Sequence, residues 1–215
     1  MENTKYYKQR ESSRDQNYIK DSAPSRVVVI LTNKCNLKCY FCFQDRKSLP
    51  NSMSTEDWMN FIDTLENNSH ITITGGEPLL FKDFEKIFLH ASKRHSINIV
   101  CNGTFLSKNF ADLFLSTKNF MVLSISVDTV GNLNRDVKPE QYKKMKETLN
   151  YFSQLRNKLN HNAVIDTKTT VIDETAKDLF EIYIHCKEDL KSDTHSFQFL
   201  KGSPVQHADK EFRYE

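Results

Sequence analysis

From Arg26 onward, short runs of β-branched residues alternate with longer stretches whose apolar residues recur at helical spacing. That alternation is the sequence form of βαβ units, and it restricts the fold to a parallel sheet flanked by helices. The runs predict strands over 27–32, 71–74, 97–101, 122–127, 163–171 and 196–200. Between them, Trp58, Phe61, Ile62 and Leu65 share one helix face, as do Phe84, Ile87, Phe88 and Ala91, and all are read as core. Tyr142, Met145, Leu149 and Phe152 follow Pro139, while Leu179, Ile182, Tyr183 and Cys186 follow start signals at 173–175, giving two further helices. Repeated strand and helix units make an α/β fold, a partial (β/α)6 barrel with mostly parallel strands. Such folds carry their sites on one rim, at the carboxyl ends of the strands.

Cys35, Cys39 and Cys42 follow the first strand directly. Three thiols this close can converge on one soft metal centre. A structural zinc is closed by four protein ligands, whereas an iron-sulfur cluster held by three thiolates leaves one iron open to a small molecule. The competing reading is a zinc site completed by Cys101 or a histidine. The histidines show no His-x-x-x-His spacing on one helix face, so a second metal site lacks support, and His185 and His195 read as packing or surface groups.

The strand at 71–74 runs into Gly75-Gly76-Glu77-Pro78. Consecutive glycines let the backbone turn sharply and approach a ligand with no Cβ in the way; Pro78 sets the exit, and Glu77 adds a carboxylate beside the exposed amides. Such a turn can hold an amino group. Cys35, Gly75, Asn102 and Ser126 follow or end four successive strands, so they are expected to converge on the active rim.

The spacing Cys35-x-x-x-Cys39-x-x-Cys42 with Phe41 between, followed by Gly75-Gly76-Glu77-Pro78, resembles the radical S-adenosylmethionine (SAM) superfamily. The likeness covers nearly the whole chain and is strongest to the branch containing molybdenum-cofactor cyclases and peptide maturases. It implies a [4Fe-4S] cluster on Cys35, Cys39 and Cys42, with the amino and carboxylate groups of SAM on the fourth iron. It also implies that Phe41 lies against the adenine, that Gly75, Gly76 and Glu77 hold the methionine amino group, and that Asn102 and Ser126 hold the nucleoside. Asp128, two residues beyond Ser126, joins the cofactor-binding set as pointing to the same face. The family turn usually reads Thr-Asn-Gly where this chain has Cys101-Asn102-Gly103, a departure at that contact. No residue is assigned as an acid or base.

The same resemblance implies reductive cleavage of SAM to methionine and a 5′-deoxyadenosyl radical, which removes hydrogen from a substrate. A one-electron donor such as flavodoxin or ferredoxin is the implied partner. A peptide or protein side chain is the expected substrate; the alternatives are a nucleotide or pterin, or a cluster-bearing binding or sensor module with no turnover.

A chain of 215 residues is long enough for one substantial core. Residues 1–25 read as a polar extension, 26–202 as the core domain, and 203–215 as a tail or the start of a further region. A net charge of +2 and basic residues interleaved with acids give no indication of nucleic acid. No apolar run approaches the roughly 20 residues a membrane helix needs, and the start carries no secretory h-region. Five cysteines, three of them clustered, argue against a disulfide framework and for a cytoplasmic location. Cys101 and Cys186 read as small buried hydrophobes.

Overall fold

A computed structural model describes residues 24–42 and 53–199. Its strands are β1 (Arg26–Ile30), β2 (His70–Thr74), β3 (Ser96–Cys101), β4 (Phe120–Ser126), β5 (Val164–Val171) and β6 (Thr194–Phe199). They form one sheet in sequence order, and every adjacent pair is parallel. The sheet stays open between β1 and β6, as a partial barrel. Its helices are α1 (Thr55–Asp63), α2 (Phe84–Ser92), α3 (Lys108–Leu115), α4 (Pro139–Lys158), α5 (Asp173–Ala176) and α6 (Leu179–Glu188). None is long and apolar enough among the described residues to cross a membrane.

Local chemistry sets the helix starts. Ser54 accepts from Asp57 N while Asp57 reaches back to Ser54 N, a reciprocal cap on α1. Pro139 occupies the first turn of α4, where a missing N–H costs nothing. Helix α3, absent from the periodicity reading, is announced by Ser107, which caps it through Phe110 N.

Parallel register sorts the strand residues onto two faces. Val29, Ile73, Ile99, Leu123 and Ile165 lie in one row across five strands and face the helices. Phe84, Phe88, Phe114 and Phe120 pack beneath, with the Phe114 and Phe120 rings 4.8 Å apart. The concave face is more polar: Ser124 and Thr194 both donate to the Asp166 carboxylate at 2.8 Å. Among the described residues no helix covers that face over β1, and Val28 and Ile30 are exposed although they belong to the most apolar run in the chain.

Phe61 corrects the core reading. Trp58 and Ile62 are buried, but Phe61 is 37% exposed, because α1 turns it to the solvent edge, where its ring meets that of Trp58 edge-on. Leu65 is partly buried against the core. Leu200, most of the 1–25 extension and the 203–215 tail lie outside the described residues.

Candidate active site

The chain leaving β1 lies directly on the turn that leaves β2. Gly76 N donates to Thr32 O at 2.7 Å and Glu77 N to Lys34 O at 2.8 Å. A Cβ on Gly75 would stand 2.4 Å from Thr32 O, and one on Gly76 would stand 2.4 Å from Lys34 O. Both clashes are with backbone and cannot be relieved by a side-chain rotation. Thus the two glycines permit a close approach to the chain's own cysteine loop; the sequence reading had assigned that approach to a ligand.

These two segments form one wall of a cavity of about 830 Å³. Cys35, Cys39, Cys42, Phe41, Gly75, Gly76, Asn102 and Ser126 all line it. Residues that follow successive strands, 24 to 40 positions apart in sequence, thus meet on one rim, as expected of a parallel sheet. Arg135, Lys168, Thr170, Phe197 and Phe199 line it too, and the sequence reading had not singled them out. Lys168 was discoverable, since parallel pairing sets it beside Ser126. Arg135 had no local signal.

Glu77 and Asp128 stand apart from that lining. Glu77 is fully buried, with Oε2 accepting from Asn102 N at 2.7 Å and Oε1 from Leu79 N at 3.1 Å. Burial pushes its carboxyl up to about 7, with the two N–H donors opposing. Asp128 is also fully buried: it accepts from Thr170 N at 2.5 Å and from Arg135 Nε. Both carboxylates therefore brace the rim from behind, with their oxygens already engaged.

Asn102 reaches the cysteine loop. Its Nδ2 donates to Asn36 Oδ1 at 3.1 Å and lies 3.8 Å from Cys35 Sγ, while its Oδ1 accepts from Thr104 N and Oγ1. Leu37 N also donates to Cys35 Sγ, at 3.4 Å. Arg135 Nη1 lies 3.7 Å from Cys39 Sγ, and its guanidinium sits 5.0 Å from the centre of the Phe41 ring. Donors aimed at sulfur stabilise thiolate over thiol. Burial raises the Cys39 thiol above the ordinary range, and the Arg135 charge opposes that rise.

The donor chemistry fits a multi-iron cluster. Three thiols share one cavity with N–H groups directed at two of their sulfurs, yet among the described residues no three Cys, His, Asp or Glu side chains are grouped to hold a single ion. Thiolates on different irons of a cluster need not meet at one point. Cys101 is 3% exposed and packs in the core, and burial keeps its thiol well above the ordinary range. Cys186 is likewise buried, its thiol pushed up to about 11. His195 packs between Tyr183 and Phe197, and His185 bonds to Tyr142 and Asp189, so both are in structural settings.

The profile of the radical SAM superfamily matches residues 29–183, and the chain belongs to that superfamily of enzymes. The family implies an iron-sulfur cluster and SAM. The sporulation killing factor maturation protein SkfB of Bacillus subtilis (strain 168) is 27% identical over 167 residues, covering 76% of this chain and 40% of SkfB. A probable GTP 3',8-cyclase of Archaeoglobus fulgidus is 33% identical over 88 residues, covering 40% of this chain and 30% of the cyclase. The chain therefore spans less than half the length of these relatives. Streptococcus suis SuiB, solved bound to S-adenosylmethionine, superposes with a TM-score of 0.71 at 18% identity, covering 99% of this chain and 48% of SuiB, a likeness of fold.

Proposed function

We propose that Cys35, Cys39 and Cys42 hold a [4Fe-4S] cluster, that SAM occupies the adjoining cavity, and that the enzyme abstracts hydrogen from a peptide side chain. The observation that carries this reading is the convergence of the three thiols, the glycine turn, Asn102 and Ser126 on one cavity. Held on Cys35, Cys39 and Cys42, such a cluster would supply the one-electron reduction of the SAM sulfonium that splits SAM into methionine and a 5′-deoxyadenosyl radical.

The chain's own residues bind and orient. Backbone groups of Gly75 and Gly76 face the methionine end, Phe41 offers a ring to the adenine, and Asn102 and Ser126 offer polar groups to the nucleoside. Glu77 and Asp128 act behind them: Glu77 by fixing the Asn102 turn, Asp128 by fixing Arg135. Residues 26–202 constitute the working core in this reading, fed by a one-electron donor such as flavodoxin or ferredoxin.

A peptide substrate is supported by the maturation role named for SkfB. A nucleotide is the second reading, supported by the cyclase relative and by two cavity cations, Arg135 and Lys168. Anaerobic iron and sulfide quantification, with electron paramagnetic resonance before and after SAM, tests the cofactor assignment. A cluster whose spectrum changes with SAM is expected; zinc, or a cluster indifferent to SAM, overturns it. Mass changes in peptides versus nucleotides after turnover then separate the two substrate classes.

A further inference from the structure

One cation on the cavity wall is held on several sides. Arg135 closes the turn Val130–Arg135, and its side chain is only 12% exposed. Its Nε donates to Asp128, its Nη1 lies 3.7 Å from Cys39 Sγ, and its Cζ lies 5.0 Å from the Phe41 ring centre. Asp128 cannot drift, because Thr170 N holds its other oxygen. Removing either member of such a pair would strand a buried charge.

The turn that delivers Arg135 holds costly backbone. Asn132 and Asp136 adopt left-handed conformations (φ 53° and 57°) beside Gly131 (φ 81°). Such residues persist where the surroundings over-determine them. Here Asn132 is fully buried, donating from Nδ2 to Ser126 O and accepting from Asp128 N, each at 2.9 Å. The same strand end that carries Ser126 and Asp128 thereby aims the guanidinium at Cys39.

We propose that Arg135, anchored by Asp128, is a positioning residue that makes the cluster easier to reduce, through a charge-assisted N–H···S contact to Cys39. The inference rests on the cluster reading above. Reduction adds negative charge to an already anionic thiolate-ligated centre, so a fixed donor on one thiolate favours the reduced form. Cys39 is the most buried of the three ligands, at 5% exposure, where solvent screens that charge least. Asp128 tempers the effect without cancelling it, since the donor nearest the sulfur belongs to Arg135.

The test is anaerobic potentiometric titration of reconstituted wild type, R135K and R135Q, with iron, sulfide and SAM affinity measured on the same samples. R135Q is expected to keep its iron while its one-electron reduction equilibrium falls at least tenfold, about 59 mV more negative. R135K, which keeps a charge but loses the planar fork, is expected to fall by less. Potentials of loaded variants within twofold of wild type overturn the inference, even where SAM affinity drops. Loss of iron from both variants also overturns it, assigning Arg135 a purely structural part; if R135Q alone is empty, the R135K shift decides. A wild type that takes up no iron and sulfide overturns the cluster reading itself, a result distinct from a loaded wild type with unshifted variants.

Discussion

Glu77 Oε2 accepts the backbone N–H of Asn102 at 2.7 Å, so a single buried carboxylate joins the turn after β2 to the turn after β3. The same Glu77 donates its own N–H to Lys34 O in the cysteine loop after β1. Three strand ends are thereby locked together through one residue. Preorganisation of this kind lets a site hold its geometry with little rearrangement on binding.

The raised carboxyl of Glu77 has a stability consequence with a definite sign. The folded chain holds the proton more tightly than the unfolded chain, so this group's contribution is fully present below about pH 4.5 and is lost as pH rises through about 7. The full shift corresponds to about 3 kcal/mol at roughly 1.4 kcal/mol per pKa unit. Glu77→Gln is expected to flatten that part of the pH dependence in urea unfolding. An unaltered slope would count against a buried, proton-holding Glu77.

Gly76→Ala is expected to cost about 1–3 kcal/mol through overpacking and to disrupt iron uptake, because the new methyl meets Lys34 O at 2.4 Å. Gly131→Ala is the contrast. Its nearest neighbour would be 3.8 Å away, so only the left-handed strain remains, about 1–2 kcal/mol. Thermal unfolding with iron content checks both; equal iron retention in the two variants would contradict the account.

Replacing Cys35, Cys39 or Cys42 with Ser is expected to abolish bound iron after anaerobic reconstitution. Cys101→Ala and Cys186→Ala are expected to keep it, at a stability cost of about 1 kcal/mol each, since both thiols are buried in apolar surroundings. Iron lost from the Cys101 variant would revive a fourth protein ligand.

Phe114→Ala is expected to destabilise the fold by about 3–5 kcal/mol, as its ring packs against Phe84, Phe88 and Phe120 in an apolar cluster separate from the one around the thiols. Iron uptake at low temperature should survive. Denaturant unfolding gives the first quantity and iron analysis the second; selective loss of iron at unchanged stability would refute the separation of core from site.

Much of the architecture could be read locally. The β-branched runs at 71–74 and 97–101 became β2 and β3 almost residue for residue, because a strand buried in a parallel sheet advertises itself by composition. Helix α3 is less legible because its eight residues make little more than two turns, too few for apolar spacing to stand out. Phe61 was misplaced for a related reason: helical spacing marks a face, and the helix's neighbours decide how far that face is covered.

Sequence alone determined the strand and helix alternation, the thiol spacing and the glycine turn, since each is encoded within a few neighbouring residues. Tertiary structure alone decided that the glycines meet the chain's own cysteine loop, that Glu77 braces Asn102, and that Arg135 spans Asp128 and Cys39. Apart from the Arg135–Asp128 pair, seven residues apart, these contacts join residues 25 to 96 positions apart, with no local periodicity to mark them. They exist because the parallel sheet brings its strand ends to one rim, where buried polar groups must find partners wherever the fold puts them.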